Sequence, residues 1–140
     1  MVRPLTAAET PIVISLLKAM LVEAGLGAWE IDVWLKKAEA RIAAQYRVGA
    51  TCYFLKQIAG EPAGVIGALL GEESSFLAIK SLRYGVLVDE YVLAPHRGQN
   101  CERELREAAA AWIEQNAAAV ARNVPANACR LAVMSHGGKL

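Results

Sequence analysis

Residues 84–116 decide the fold, and they read YGVLVDEYVLA (Tyr84–Ala94), PHRGQN (Pro95–Asn100) and CERELREAAAAWIEQN (Cys101–Asn116). The first part is rich in β-branched and aromatic residues and is apolar on both faces. That pattern is typical of a strand buried on both sides, at the centre of a sheet. Proline brings no N–H group to a ladder, so the strand is predicted to end at Pro95.

The third part of this stretch has the period of an amphipathic helix. Asn100 is placed as its N-cap, and one face carries an apolar stripe formed by Cys101, Leu105, Ala108, Ala109, Trp112 and Ile113. At a helix N-terminus the free backbone N–H groups and the helix dipole both attract an anion. The strand, the glycine-containing turn and the helix together predict an anion site.

Two helices and a hairpin are predicted upstream. A short extended start leads to a capping box at Thr6 and Glu9, and the first helix ends near Gly25. The remaining elements are a second helix from about Trp29 to Ala44 and two strands, 51–58 and 63–70, paired about a turn at 60–62. Gly64 and Gly67 mark either a bulge or a close backbone approach in the second of these strands.

The second helix has an apolar side and a charged side. Its charged side carries Lys36, Lys37, Glu39 and Arg41 and is predicted to be an ordinary solvated face. Its tryptophans, Trp29 and Trp34, either pack in the core or line a groove for an acceptor substrate.

Downstream, residues 71–75 are predicted to form a loop and Cys129–Met134 the last strand. A strand–helix–strand unit of this length makes a right-handed parallel crossover. We therefore predict a single α/β (α+β) domain over residues 1–140: a mixed sheet with helices on both faces, in the order β-α-α-β-β-β-α-β.

Composition narrows the function classes. A net charge of +1 with no basic run argues against nucleic-acid binding, and no apolar run approaches the roughly 20 residues that span a bilayer. The cysteines, Cys52, Cys101 and Cys129, are odd in number and widely spaced, which favours reduced thiols in a cytoplasmic protein. With only two histidines, no metal site is expected.

The order of elements and the stretch VLAPHRGQ (Val92–Gln99) resemble the GNAT superfamily of acyl-CoA-dependent N-acyltransferases, whose motif is V-x-P-x-x-R-G-x. The resemblance implies acetyl-CoA as co-substrate and a small-molecule amine or a protein amino group as acceptor. It also implies that backbone groups at the strand end bind the pantetheine arm and that the turn wraps the pyrophosphate. The residues so assigned are Glu90, Tyr91 and Val92 for the arm, and Arg97, Gly98, Gln99, Asn100, Cys101, Glu102 and Arg103 for the pyrophosphate.

The sequence departs from the family pattern in two places. Asn100 and Glu102 stand where the family has small residues, and a carboxylate about 4 Å from a phosphate charge is repelled by roughly 4 kcal/mol at an effective dielectric constant of about 20. Without a ligand, Glu102 is simply favourable in the first helical turn. The family usually continues past the fifth strand, where this sequence stops. Either a partner chain completes the sheet or the last strand is left as an edge that needs cover, so a homodimer is expected.

Asp89 and Glu90 are the candidates for the base that deprotonates the amine, directly or through water. Alternate residues face opposite sides of a strand, so one of them faces away from the cleft; a structural role for either is the alternative. Cys101 is expected to pack in the core rather than to act as a nucleophile. Two functions follow: an acetyl-CoA-dependent N-acetyltransferase, or a non-catalytic acyltransferase-like binding or dimerisation module.

Overall fold

A computed structural model of the chain describes residues 1–73 and 82–120. It contains four strands and three long helices, with single 3-10 turns at Ala7–Glu9 and Ala94–His96. The elements are β1 (Val2–Pro4), α1 (Thr10–Glu23), α2 (Ala28–Arg47), β2 (Thr51–Ile58), β3 (Glu61–Glu73), β4 (Leu82–Val92) and α3 (Cys101–Val120).

The four strands form one antiparallel sheet in the order β1-β2-β3-β4. The predicted β2–β3 hairpin is confirmed, but the predicted loop at 71–75 is wrong at its start, because β3 continues to Glu73. Gly71 pairs with Tyr84, and a Cβ added at Gly71 would clash with the Tyr84 ring. The missing side chain therefore lets that ring cover the strand, and β3 runs on.

Helices cover both faces of this sheet, as predicted. On the α1/α2 face, buried side chains of the two helices pack against Tyr53, Leu55 and Val65. On the α3 face, the apolar stripe of α3 packs against the opposite side of the same strands, with Cys101, Leu105, Ala109 and Ile113 fully buried. The sheet thus divides the core into two layers.

The helix boundaries follow local signals. The Thr6 N–H donates to Glu9 at 3.1 Å ahead of α1, which ends just before Gly25 at φ +84°. Helix α2 is longer than predicted at its C-terminal end. Core packing is wrong for Trp29, which lies in the first turn of α2 and is 77% exposed, whereas Trp34 packs against the α1/α2 core.

Several predictions fall outside the described residues. The strand Cys129–Met134, its parallel crossover and the tail lie beyond residue 120, so the mixed character of the sheet stays a prediction. Among the described residues β4 pairs with β3 alone, and its placement at the sheet centre depends on that strand. No helix in the described ranges is long and apolar enough to cross a bilayer.

Candidate active site

Strand β4 carries a bulge near its C-terminal end. The register places Val88 opposite Gly67 and Tyr91 opposite Val65, so two residues of β4 face one of β3. Asp89, the first of the two, has φ +55°, a left-handed conformation that is uncommon for a residue with a Cβ. This is the arrangement of a β-bulge, in which one extra residue re-aims the strand that follows.

Asp89 turns its carboxylate toward the α1/α2 face. Arg41 Nη2 of α2 lies 2.9 Å from Asp89 Oδ2, and the Tyr53 hydroxyl of β2 donates to the same oxygen. The Asp89 side chain is 12% exposed. The prediction that Arg41 lies on an ordinary solvated face is therefore wrong: its guanidinium reaches over the sheet to the bulge.

Glu90 turns the opposite way, onto the α3 face. Its two carboxylate oxygens meet Arg106 of α3, with Nε 2.7 Å from Oε1 and Nη2 2.9 Å from Oε2. The side chain is 14% exposed. Asp89 and Glu90 thus face opposite sides of the sheet, as predicted, and each is held by an arginine from a helix.

Tyr53 is the most deeply buried member of this group, with no exposed surface. Burial raises the pKa of its phenol far above the ordinary value, and the negative charge of Asp89 raises the pKa further. The hydroxyl therefore stays protonated at physiological pH and serves as a hydrogen-bond donor. Sequence reasoning missed it, because an aromatic residue in a strand reads first as core.

The end of β4 offers backbone groups to its outer edge. The Leu93 N–H donates to the Ala63 carbonyl at 2.8 Å, and Gly64 and Val92 are the next register pair. Because bonded and non-bonded pairs alternate along an antiparallel ladder, the N–H and C=O of Val92 point away from β3. These are the groups to which the family resemblance assigns the pantetheine arm.

Arg97 folds back from the turn onto this edge. Its Nε donates to the Val92 carbonyl at 2.9 Å, and its Nη2 lies 2.6 Å from Glu23 at the end of α1. Tyr91 donates its hydroxyl to the same carboxylate at 2.6 Å, beneath the Arg97 guanidinium. Arg97 first and then Tyr91 lower the pKa of Glu23 to about 2. Arg97, which the family resemblance assigns to the pyrophosphate, is thus paired with a carboxylate of α1 in this structure.

The turn before α3 has the backbone form of an anion site. Gly98 has φ +80° and Asn100 has φ +66°, so asparagine takes the conformation for which glycine is the usual residue. The Asn100 carbonyl accepts the first helical bond, from Glu104 N–H at 3.0 Å. The N–H groups of Cys101, Glu102 and Arg103 precede that bond and so have no partner within the helix.

Side chains around the turn are of mixed charge. Cys101 is buried in the α3-face core, so its expected packing role is confirmed, while Gln99 and Arg103 are exposed. Glu102 is half-buried, and its charge helps to raise the pKa of Arg106, after the larger effect of the Glu90 hydrogen bond. Glu102 therefore acts on the arginine one turn along α3.

A groove of about 450 Å³ opens beside the end of β4. It lies between α1 and the sheet, and its mostly apolar wall is formed by Pro11, Ile12, Ser15, Leu16, Ala19, Pro62 and Leu93. A groove of this size is within the range for small-molecule sites.

Comparison with known proteins identifies the fold. No family model matches the sequence, and no curated protein matches it. A GCN5-related N-acetyltransferase from Ralstonia eutropha superposes with TM-score 0.69 at 20% identity, over 83% of this chain and 76% of that one. A predicted acetyltransferase from Clostridium acetobutylicum, solved with acetyl-CoA, gives TM-score 0.70 at 12% identity, over 83% and 74%.

An acetyltransferase from Vibrio fischeri gives TM-score 0.65 at 13% identity and covers 83% of this chain and 88% of that one. The chain therefore has the fold of the GCN5-related N-acetyltransferases, and the resemblance first seen in Val92–Gln99 is confirmed at the level of the fold.

Proposed function

We propose that this chain binds acetyl-CoA along the outer edge of β4 and transfers its acetyl group to an amine. One observation carries the proposal: the bulged end of β4 directs Val92 N–H outward, beside a turn whose positive φ angles at Gly98 and Asn100 lead into the free N-terminus of α3. An outward strand edge next to an anion site matches an extended amide arm that ends in a diphosphate.

The pyrophosphate would lie on the turn. Backbone N–H groups of residues 98–103 would hold it, with Arg103 as the exposed cation at the site. Glu102 opposes this binding by its charge, and the positive charge of Arg106 one turn along α3 offsets part of that repulsion. We infer that Glu102 weakens the site without closing it.

The chemistry needs few protein groups. The amine nitrogen attacks the thioester carbon, the C–S bond breaks, and the proton lost by the nitrogen is returned to the sulfur. An outward backbone N–H at Val92 would stabilise the oxyanion of the tetrahedral intermediate. Asp89 would accept the amine proton through a water molecule, because its Oδ2 already meets Arg41 and Tyr53 and the side chain is only 12% exposed, which hinders direct contact with the amine.

The proposed acceptor is an amine, either a small molecule or a protein amino group. Thiol release from acetyl-CoA tests both: the purified chain is supplied with a panel of small amines and of peptides with free amino termini or lysines. Acceptor-dependent release of CoA thiol supports the proposal. Release no faster than in buffer with every acceptor contradicts it.

A homodimer stays part of the proposal. Light scattering of the purified chain is expected to give twice the 15.0 kDa of one chain, and a monomer at all concentrations would contradict this.

A non-catalytic binding module is the second candidate, and a specific observation favours it. Asp89, Glu90 and Arg97, the charged groups that a transferase would use, all have partners within the chain. This candidate predicts that acetyl-CoA neither binds nor is hydrolysed, whereas the first predicts saturable binding.

A further inference from the structure

We propose that Tyr53 and Arg41 are positioning residues that hold the β4 bulge in the form that acyl transfer requires. The inference rests on the proposed function. The claim that these two residues hold Asp89 is tested by unfolding alone, without a ligand. Neither residue belongs to the strand end or the turn to which the family resemblance assigns the co-substrate. Tyr53 is fully buried, so it cannot touch a substrate and acts only through Asp89.

The bulge needs to be held. Asp89 has φ +55°, and a residue with a Cβ pays a conformational penalty there that surrounding contacts must offset. Two contacts are available, both to Asp89 Oδ2: the Tyr53 hydroxyl from β2 and the Arg41 guanidinium from α2. Side chains from β2 and from α2 thus meet the strained residue on the same face of the sheet.

The Tyr53 hydroxyl is itself fixed in place. Its ring passes across β3 at Gly67, where an added Cβ would lie 2.7 Å from the ring. The Tyr46 ring stacks on it with 6.4 Å between centroids, and the Tyr46 hydroxyl accepts the Tyr53 N–H at 2.8 Å. The missing side chain at Gly67 therefore makes room for a phenol that reaches the bulge in a single orientation.

The bulge determines which backbone groups at the end of β4 point away from β3. In a regular strand, residues four apart face the same side, yet Val88 packs against the α1/α2 core and Val92 lies in the α3-face core. The extra residue at Asp89 causes this reversal. Without it the strand end would shift phase by one residue, and Val92 N–H would point into the β3 ladder rather than outward.

Asp89→Gly separates the backbone role from the carboxylate role, because glycine adopts a positive φ without a contact to hold it. We measure urea unfolding and acetyl-CoA calorimetry for Tyr53→Phe and Arg41→Gln, each alone and combined with Asp89→Gly. Thr51→Val is the matched control: it removes a buried hydroxyl that donates to the Ala68 carbonyl and not to Asp89.

The expected result is a strong coupling between Tyr53 and Asp89. Tyr53→Phe should raise the unfolding equilibrium constant about tenfold in the natural chain but less than twofold beside Asp89→Gly, which a double-mutant cycle measures directly. Thr51→Val should cost the same in both backgrounds. Acetyl-CoA affinity should fall about threefold in Tyr53→Phe and recover in Tyr53→Phe/Asp89→Gly, while the turnover of that double variant stays low because the carboxylate is gone.

Two results overturn the inference: equal costs of Tyr53→Phe in both backgrounds, or a Tyr53→Phe variant with unchanged affinity and turnover. If the natural chain binds no acetyl-CoA, the proposed function fails. The unfolding cycle then still decides whether Tyr53 holds Asp89, so the two failures remain distinguishable.

Discussion

Asp89 and Glu90 are neighbours in sequence that lie on opposite sides of one strand, and each pairs with an arginine from a helix. Their surroundings differ. Asp89 has a left-handed backbone and a buried phenol as second partner. Glu90 makes a two-point contact with Arg106 of α3, close to Glu102 and the turn.

The difference separates two uses of an ion pair. The Asp89 contacts hold a strained backbone and set the phase of the strand end, whereas the Glu90 contact ties α3 to the sheet. We therefore expect changes at Asp89 to affect both stability and chemistry, and changes at Glu90 to affect stability alone.

The largest effect is expected from Asp89→Ala. It leaves the Tyr53 hydroxyl buried without a partner, at about 1–3 kcal/mol, and it removes the contacts that offset the strain of a positive φ, which alanine tolerates less well than aspartate. Together these predict a loss of about 3 kcal/mol in the free energy of unfolding, measured in urea. Glu90→Ala is the matched change and should cost about 1 kcal/mol, because Arg106 stays 38% exposed to water. Equal losses for Asp89→Ala and Glu90→Ala would show that the two carboxylates stabilise the fold to the same extent.

Replacing each carboxylate by its amide tests the role of the charge at Asp89 and at Glu90 with little change in side-chain size. Asp89→Asn should lower the rate of acetyl transfer about 100-fold, the lower end of the contribution of a general base. Glu90→Gln should change the rate less than threefold. Rates are measured by thiol release at saturating acetyl-CoA. A larger loss in Glu90→Gln than in Asp89→Asn would assign the base to the α3 face instead.

High pH should weaken the Asp89 side of the sheet. Burial raises the pKa of Tyr46 from 10.0 to about 12 and that of Tyr53 further. Between pH 10 and pH 12 the unfolded chain loses these protons and the folded chain keeps them, so the unfolding free energy falls as pH rises.

For a half-buried group such as Tyr46, we expect a loss of about 1–2 kcal/mol in the free energy of unfolding. Urea midpoints at pH 9, 10 and 11 measure it, and Tyr46→Phe should reduce the slope. A slope that is unchanged in Tyr46→Phe would show that other groups cause the loss.

The smallest effect concerns the end of the strand. Glu23→Gln should release Arg97 from α1 and raise acetyl-CoA affinity about twofold to fivefold, the range of an exposed ion pair. Asp32→Asn breaks a more exposed pair within α2 and should leave the affinity unchanged. Calorimetry at low and high salt measures both, and a weaker affinity in Glu23→Gln would show that the pair supports the site rather than competing with it.

Much of the fold was predictable because local patterns and tertiary packing agree. Strand β2 begins and ends where the sequence predicts, and the stripe from Cys101 to Ile113 is buried as its period indicates. Asn100 stands where the family has a small residue, and it takes a positive φ, which asparagine tolerates better than most residues.

The site was less predictable because its contacts are long-range. Arg41 meets a residue 48 positions away and Glu23 one 74 positions away. No local period reports such partners. One signal was present: Arg41 lies beside Ile42 and three residues after Ala38, at the border of the buried face of α2.

Titration calorimetry with acetyl-CoA shows whether the outer edge of β4 and the turn before α3 form an acyl-CoA site. The natural chain is measured beside Glu102→Gly, with Glu114→Gly, the same substitution at an exposed position about three turns further along α3, as the control. We predict micromolar binding by the natural chain, tighter binding by Glu102→Gly and no gain from Glu114→Gly. Binding by Glu102→Gly alone would favour the non-catalytic module, and no binding by either the natural chain or Glu102→Gly would contradict an acyl-CoA site at this edge.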